Sequence, residues 1–184
     1  LPHVPFDGWS QITLRAAIAD SGVAAAMGAG LFPRGGIDLA IAYHKRGDRD
    51  LADASAQADL TQLRYQKRVT HALRLRLQLV DKEIVRKGAA LFALPQHSVE
   101  GAALIWGTSD CIWTALNDTS RDINWYSKRA TLSAVYAATV LFWLGDTSAD
   151  DSETWQFLDR RIENVMQFEK IKASFGGNRI GKTL

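Results

Sequence analysis

Hydrophobic residues recur along this chain at three- and four-residue intervals, and the strict alternation of a half-buried strand is nearly absent. That pattern predicts an all-α fold. Ser10 stands where a helix cap belongs and opens a helix to about Asp20, which Ser21 and Gly22 close. Pro33 to Gly36 separates two further short helices, at about 23–32 and 36–46. From Leu60 to Arg86 there is neither Gly nor Pro, and Leu73, Leu77, Val80 and Ile84 follow an i, i+4, i+7, i+11 stripe. One helix is expected there, although RLRLQL at 74–79 alternates like a strand. Pro95 breaks the middle of the chain before a helix from about Val99 to Leu116. Thr119 to Asp122 resembles a capping box that opens a helix to about Leu144. Asp150, Asp151 and Glu153 then form an acidic first turn, favourable against the helix dipole, for a last helix to about Lys172.

Composition narrows the class. The 184 residues suit one domain, and 47% hydrophobic with 23% charged residues is the balance of an ordinary globule. A net charge of +2 selects no partner. The single cysteine, Cys111, lies beside Ile112 and Trp113, which fits a small buried hydrophobe and excludes a disulfide framework. The opening LPHVPFDGW has no basic and apolar signal-peptide pattern, and the uncharged run 130–145 is shorter than a membrane span.

Catalytic motifs are missing from the sequence. His3, His44, His71 and His97 are far apart, no H-E-x-x-H or E-x-x-H occurs, and no serine stands in G-x-S-x-G. No catalytic residue, metal ligand or enzyme activity is therefore expected. The terminal GGNRIGKTL places Gly176, Gly181, Lys182 and Thr183 at the spacing of a nucleotide-phosphate loop. Such a loop needs a strand before it and a helix after it. FEKIKAS upstream reads as helix, so residues 176–184 are expected to be a flexible tail.

Three short helices ahead of longer ones resemble the helix-turn-helix head of TetR-type regulators, which implies a dimeric helical fold with a ligand cavity in its body. The division expected is a vestigial head at 1–47, a helical ligand-binding body at 48–175, and the tail at 176–184. A ligand-responsive transcription regulator is the alternative function, but its recognition segment would be VAAAMGAGLF at 23–32, which has no hydrogen-bonding side chain. Base edges are read by Arg, Lys, Asn or Gln, so such a segment cannot specify a DNA sequence. Arg64, Lys67, Arg68, Arg74, Arg76, Arg86 and Lys87 read instead as a solvated basic face with Asp81 and Glu83 among them.

The aromatic residues carry the remaining signal. Trp106, Trp113, Leu141 and Trp143 lie in apolar surroundings and are candidates for core or for the wall of an apolar ligand cavity. Trp125 and Tyr126 sit in SRDINWYSKR, in the polar company of an interface hot spot. Arg129, four residues on, is placed to stack on the Trp125 indole.

Residues 113–166, with Asn124-Trp-Tyr-x-x-Arg129 and Thr154-Trp-x-Phe-Leu158, resemble the carboxy-terminal domain of a ubiquinone-biosynthesis accessory family, the ninth coenzyme-Q protein. HVPFDGWSQITLRAAIADSG and LFPRGGIDLAIAYHKRGD resemble the head of its bacterial members. The resemblance implies a TetR-like fold that has lost DNA binding, a homodimer, and an apolar cavity for phospholipid or isoprenoid quinone in place of a cofactor. It implies a peripheral membrane location, at the bacterial inner membrane or on the matrix side in a mitochondrion. The partner it implies is the di-iron demethoxyubiquinone hydroxylase, met through Trp125, Tyr126 and Arg129, with Asp110 and Ile112 beside them. Family members often end in an amphipathic, membrane-inserting helix, for which SFGGNRIGKTL is too short and polar.

Overall fold

The computed structural model describes residues 1–60 and 62–177, and among these the chain forms nine α-helices and no strand. A head of α1 (Val4–Asp7), α2 (Gln11–Ser21) and α3 (Ala25–Leu31) leads into α4 (Gly36–Gln57), α5 (Tyr65–Gln78) and α6 (Lys82–Phe92). A 3₁₀ turn at Pro95–His97 precedes α7 (Ser98–Ala115) and α8 (Asp122–Gly145), and a second at Ala149–Asp151 precedes α9 (Ser152–Gly177). The boundary expected at 47/48 falls inside α4, one unbroken helix whose start belongs to the head and whose end belongs to the body. Of the tail expected at 176–184, the first two residues belong to α9, and 178–184, with Gly181, Lys182 and Thr183, lie outside the described residues.

Local chemistry sets the helix ends. The Ser10 hydroxyl accepts a hydrogen bond from the Thr13 amide at 3.2 Å, and Gly22 closes α2 in the left-handed conformation at φ 69°. The single helix expected over 60–86 is two helices. Asp81 takes an extended conformation, and its carboxylate accepts from the Glu83 and Ile84 amides, so it starts α6 instead of continuing α5. Sequence periodicity ran through the break because Leu77, Val80 and Ile84 face one common space across it.

The capping box expected at Thr119 does not form. Ser120 donates instead to the Asp118 carboxylate at 2.8 Å, and α8 starts after Arg121 with no side-chain cap. The start of α9 is held by Asp146, which accepts from the Ser148 amide and from both the amide and hydroxyl of Thr154. Bonds from Ser148 and Thr154 hold the Asp146 carboxyl far below the usual carboxylate range.

In the body, α7 packs between α4 and α8, α8 packs on α9, and α5 bridges α4 and α9. The core they share includes Leu51, Leu73, Leu77, Ile112, Leu132, Tyr136 and Leu158. In the head, Gly28 lets α3 lie directly on α2, since a Cβ there would come within 2.6 Å of Ile18 carbons. Elsewhere on α3, Met27 and Leu31 are exposed. The segment where a DNA reader would sit is thus an apolar surface.

Candidate functional site

A cavity of about 370 Å³ opens among α4, α5, α6, α7 and α8, roofed by Trp9 from the head. Its walls are mainly aliphatic and aromatic: Leu77, Val80, Ile84 and Val85 from α5, α6 and the turn between them, Ile105 from α7, and Val140 from α8. Size and lining are those of a small-molecule site. Trp9 tilts against Tyr43 with ring centroids 5.6 Å apart, which couples the head to the body at the cavity roof.

Into this apolar space project His44, Arg76 and Tyr136. Arg76 is 2% exposed and donates Nε to Asp48 Oδ1 at 2.8 Å and Nη2 to the His44 carbonyl at 3.0 Å. The buried Thr108 hydroxyl donates to Asp48 Oδ1 at 2.8 Å and stands 2.9 Å from His44 Nε2. With its own proton given to Asp48, Thr108 accepts from His44, so Nε2 carries the imidazole proton. A nucleophile relay needs the opposite polarity, with the imidazole taking the hydroxyl proton. This arrangement is a closed hydrogen-bond network.

Burial, reinforced by the Arg76 charge, pushes the His44 pKa down from 6.5 to about 4. The unfolded chain binds a proton below pH 6.5, whereas the folded chain does so only as pH nears 4. Stability is therefore fully present above pH 6.5 and is lost as pH falls across that window. Urea unfolding at pH 7 and 4.5 is expected to show a loss on the order of 2–3 kcal/mol from this group. His44→Gln, which keeps a donor for Thr108 without titrating, is expected to remove most of that slope. An unchanged slope in the variant would assign it to other groups.

A second cluster lies on the outer side of α7 and α8. The Arg129 guanidinium stacks 3.9 Å from the centre of the Trp125 ring, as its spacing predicts. Its Nε donates to Asp110 Oδ1 at 2.6 Å, and its Nη1 donates to the Trp125 carbonyl. Tyr126 meets Trp125 edge-on at 4.8 Å and is 61% exposed, with Ile123 at 75% beside it. Hydrogen bonds from Lys128 and Ser120 outweigh burial and hold the Asp118 carboxyl below its ordinary pKa.

Three expectations for these residues change. Ile112 is fully buried in the core and presents nothing to a partner. Arg129 is 3% exposed, so it fixes the Trp125 ring from beneath and does not itself face outward. Of the four candidate cavity residues only Leu141 lines the cavity. Trp106 packs on Trp125 at 6.0 Å and so belongs to the outer cluster. Trp113 stacks on Tyr65, and Trp143 is turned away by the bond from its indole N–H to Asp151 at 2.8 Å.

The inner network escaped the sequence reading. Arg76, expected on a solvated basic face, is buried because Gly47 clears its path: a Cβ there would lie 2.7 Å from Nη1. The usable signal was His44 and Asp48 at i, i+4 around a mid-helix glycine. Trp9 gives no local signal, because its contacts come from α4 and α6, remote in sequence.

Residues 99–169 match the family model described as COQ9. Over 94% of its length the chain is 32% identical to the probable ubiquinone biosynthesis protein coq9, mitochondrial, of Dictyostelium discoideum, of which it covers 59%. It is 28% identical to the human ubiquinone biosynthesis protein COQ9, mitochondrial, over 90% of this chain and 55% of that protein. The chain thus spans less than two thirds of the length of these curated relatives. Among solved structures, the TetR transcriptional regulator from Nitrosomonas europaea superposes with a TM-score of 0.64 at 20% identity, covering 82% of this chain and 83% of that one. At that identity the likeness concerns the fold, which is TetR-like and all-α. The family model thus matches α7, α8 and most of α9, and the similarity to COQ9 proteins runs on through the head and the cavity helices.

Proposed function

We propose that this chain is a non-enzymatic accessory protein of ubiquinone biosynthesis that holds an isoprenoid quinone intermediate in its cavity and presents it to the demethoxyubiquinone hydroxylase. The observation that carries this reading is the apolar cavity among α4 to α8. Its relatives are named ubiquinone biosynthesis proteins, which gives the ligand class. The outer Trp106, Trp125 and Tyr126 cluster, rimmed by Asp110, is the surface proposed to dock the enzyme. Large aromatics stiffened by an Arg have the composition of interface hot spots. Among the described residues no helix is long and apolar enough to cross a membrane. We place the protein at the membrane surface, as a homodimer, at the bacterial inner membrane or on the matrix side of a mitochondrion. DNA regulation gains no support from the TetR-like fold, because α3 offers Ala, Gly, Met and Leu to a groove.

Mass spectrometry of an organic extract from the purified protein tests the cavity. A stoichiometric polyprenyl quinone or phospholipid is expected, and a lipid-free extract from folded protein would remove the lipid-binding half of the reading. Trp125→Lys tests the surface. It is expected to weaken capture of the hydroxylase by about thirtyfold to a thousandfold, the 2–4 kcal/mol of a hot-spot aromatic. Helical circular dichroism and bound lipid should stay unchanged, and loss of fold would instead make Trp125 a structural residue.

A further inference from the structure

The cavity is graded along its depth. At the mouth, Ala93, Ala102 and Leu141 are exposed, and Leu141 is 69% accessible. The nearby Leu94 and Val99 are exposed as well. At the inner wall stand Arg76 and Tyr136, both buried, with His44 beside them. An apolar rim thus leads to a polar floor, the reverse of a pocket that swallows a hydrocarbon tail and leaves a charged head in water.

The floor carries no net charge. The Arg76 guanidinium is matched by Asp48, and the imidazole of His44 is neutral. Hydrogen-bonding capacity remains nonetheless, since a guanidinium has five N–H donors and Asp48 and the His44 carbonyl take up only part of them. In the roof, the Trp9 indole N–H is buried without a partner, a cost that an acceptor on a bound molecule would relieve.

We propose that the cavity takes its ligand head first: an uncharged ring bearing carbonyl or phenol oxygens seats between Trp9 and the His44, Arg76 and Tyr136 floor, and its hydrocarbon tail leaves past Leu141. This rests on the lipid-binding reading above and specifies it. A phosphate head buried here would meet a cation already neutralised by Asp48 and would lose its water without an unmatched partner. A tail buried here would leave the floor facing methylene groups. A neutral ring exchanges its hydrogen bonds with water for hydrogen bonds to the floor, and its faces meet Trp9, Tyr43 and Phe92. The volume of about 370 Å³ holds a ring and the first part of a tail, which requires an exit, and the apolar rim supplies one.

The test compares three probes on the full chain: a benzoquinone with a short isoprenoid tail, a ringless isoprenoid hydrocarbon of the same tail length, and phosphatidylglycerol. Wild type is expected to bind the quinone at least tenfold more tightly than the other two. Tyr136→Phe, which removes only a hydroxyl, and Trp9→Phe, which removes the unpartnered indole N–H, are each expected to weaken quinone binding about fivefold to tenfold, the worth of one hydrogen bond. Hydrocarbon affinity should not change in either variant. Equal weakening of both probes, no weakening of either, or tighter binding of phosphatidylglycerol overturns the head-first orientation. Failure of wild type to bind any of the three overturns the lipid-binding reading itself.

Discussion

Arg76→Met is expected to lower the free energy of unfolding by about 3–5 kcal/mol at pH 7, the range for deleting one partner of a buried ion pair. The loss comes from what remains behind. Asp48 keeps its charge, its side chain is 15% exposed, and its nearest cation at 2.8 Å is gone. The His44 carbonyl also loses its donor. The imidazole of His44 lies 3.8 Å from Asp48, and removing Arg76 takes away one cause of its low pKa. In the variant, His44 is therefore expected to titrate higher and to take the place of the guanidinium as pH falls, so the deficit should shrink towards pH 5. Urea unfolding of wild type and variant at pH 7 and 5 measures both effects. A deficit below about 1 kcal/mol at pH 7 would place the guanidinium in contact with water. Asp48→Asn combined with Arg76→Met is expected to cost less than the sum of the two single changes, because the pair acts as one unit.

Legibility in the sequence followed the range of the physics involved. The helical class and the ends of α2 and α7 come from local rules, capping and periodicity, that act within a few residues. The stacking of Arg129 on Trp125 was legible for the same reason, since i and i+4 share a helix face. The cavity was not. Its floor joins His44 to Arg76 and Tyr136 on three helices, and its roof is Trp9 from the head. Periodicity shows that Leu77 and Ile84 are apolar but not that the space between them is empty. The tryptophans were the stronger sequence signal and misled for a physical reason. Trp143 is drawn aside by the bond from its indole N–H to Asp151, and Trp113 by its stack on Tyr65. Cavity walls are built more economically from Val, Ile, Ala and Gly.

The head has a role in this arrangement although α3 carries no hydrogen-bonding side chain. It holds Trp9 over the cavity, and the clasp that does so is Gly36 at the start of α4. A Cβ on Gly36 would fall on the carbonyl of Trp9 and within 2.8 Å of the Ser10 amide nitrogen. Those are backbone atoms, which cannot rotate away as a side chain can. Gly36→Ala is therefore expected to cost about 1–3 kcal/mol of stability through overpacking, and to lift Trp9 from the cavity roof with a loss of quinone affinity. Gly88→Ala is the matched control, also at the cavity and also under Trp9. A Cβ there meets only the indole Nε1, at 3.5 Å, an ordinary contact. Because alanine favours the interior of α6 over glycine, this change is expected to raise stability by about 0.5–1 kcal/mol. The same substitution thus has opposite signs at two glycines that flank one tryptophan. Thermal unfolding of the two variants, with quinone binding measured alongside, decides whether the head is anchored through Trp9. Equal tolerance of both changes would mean that the head can move away from α4 without disturbing the cavity.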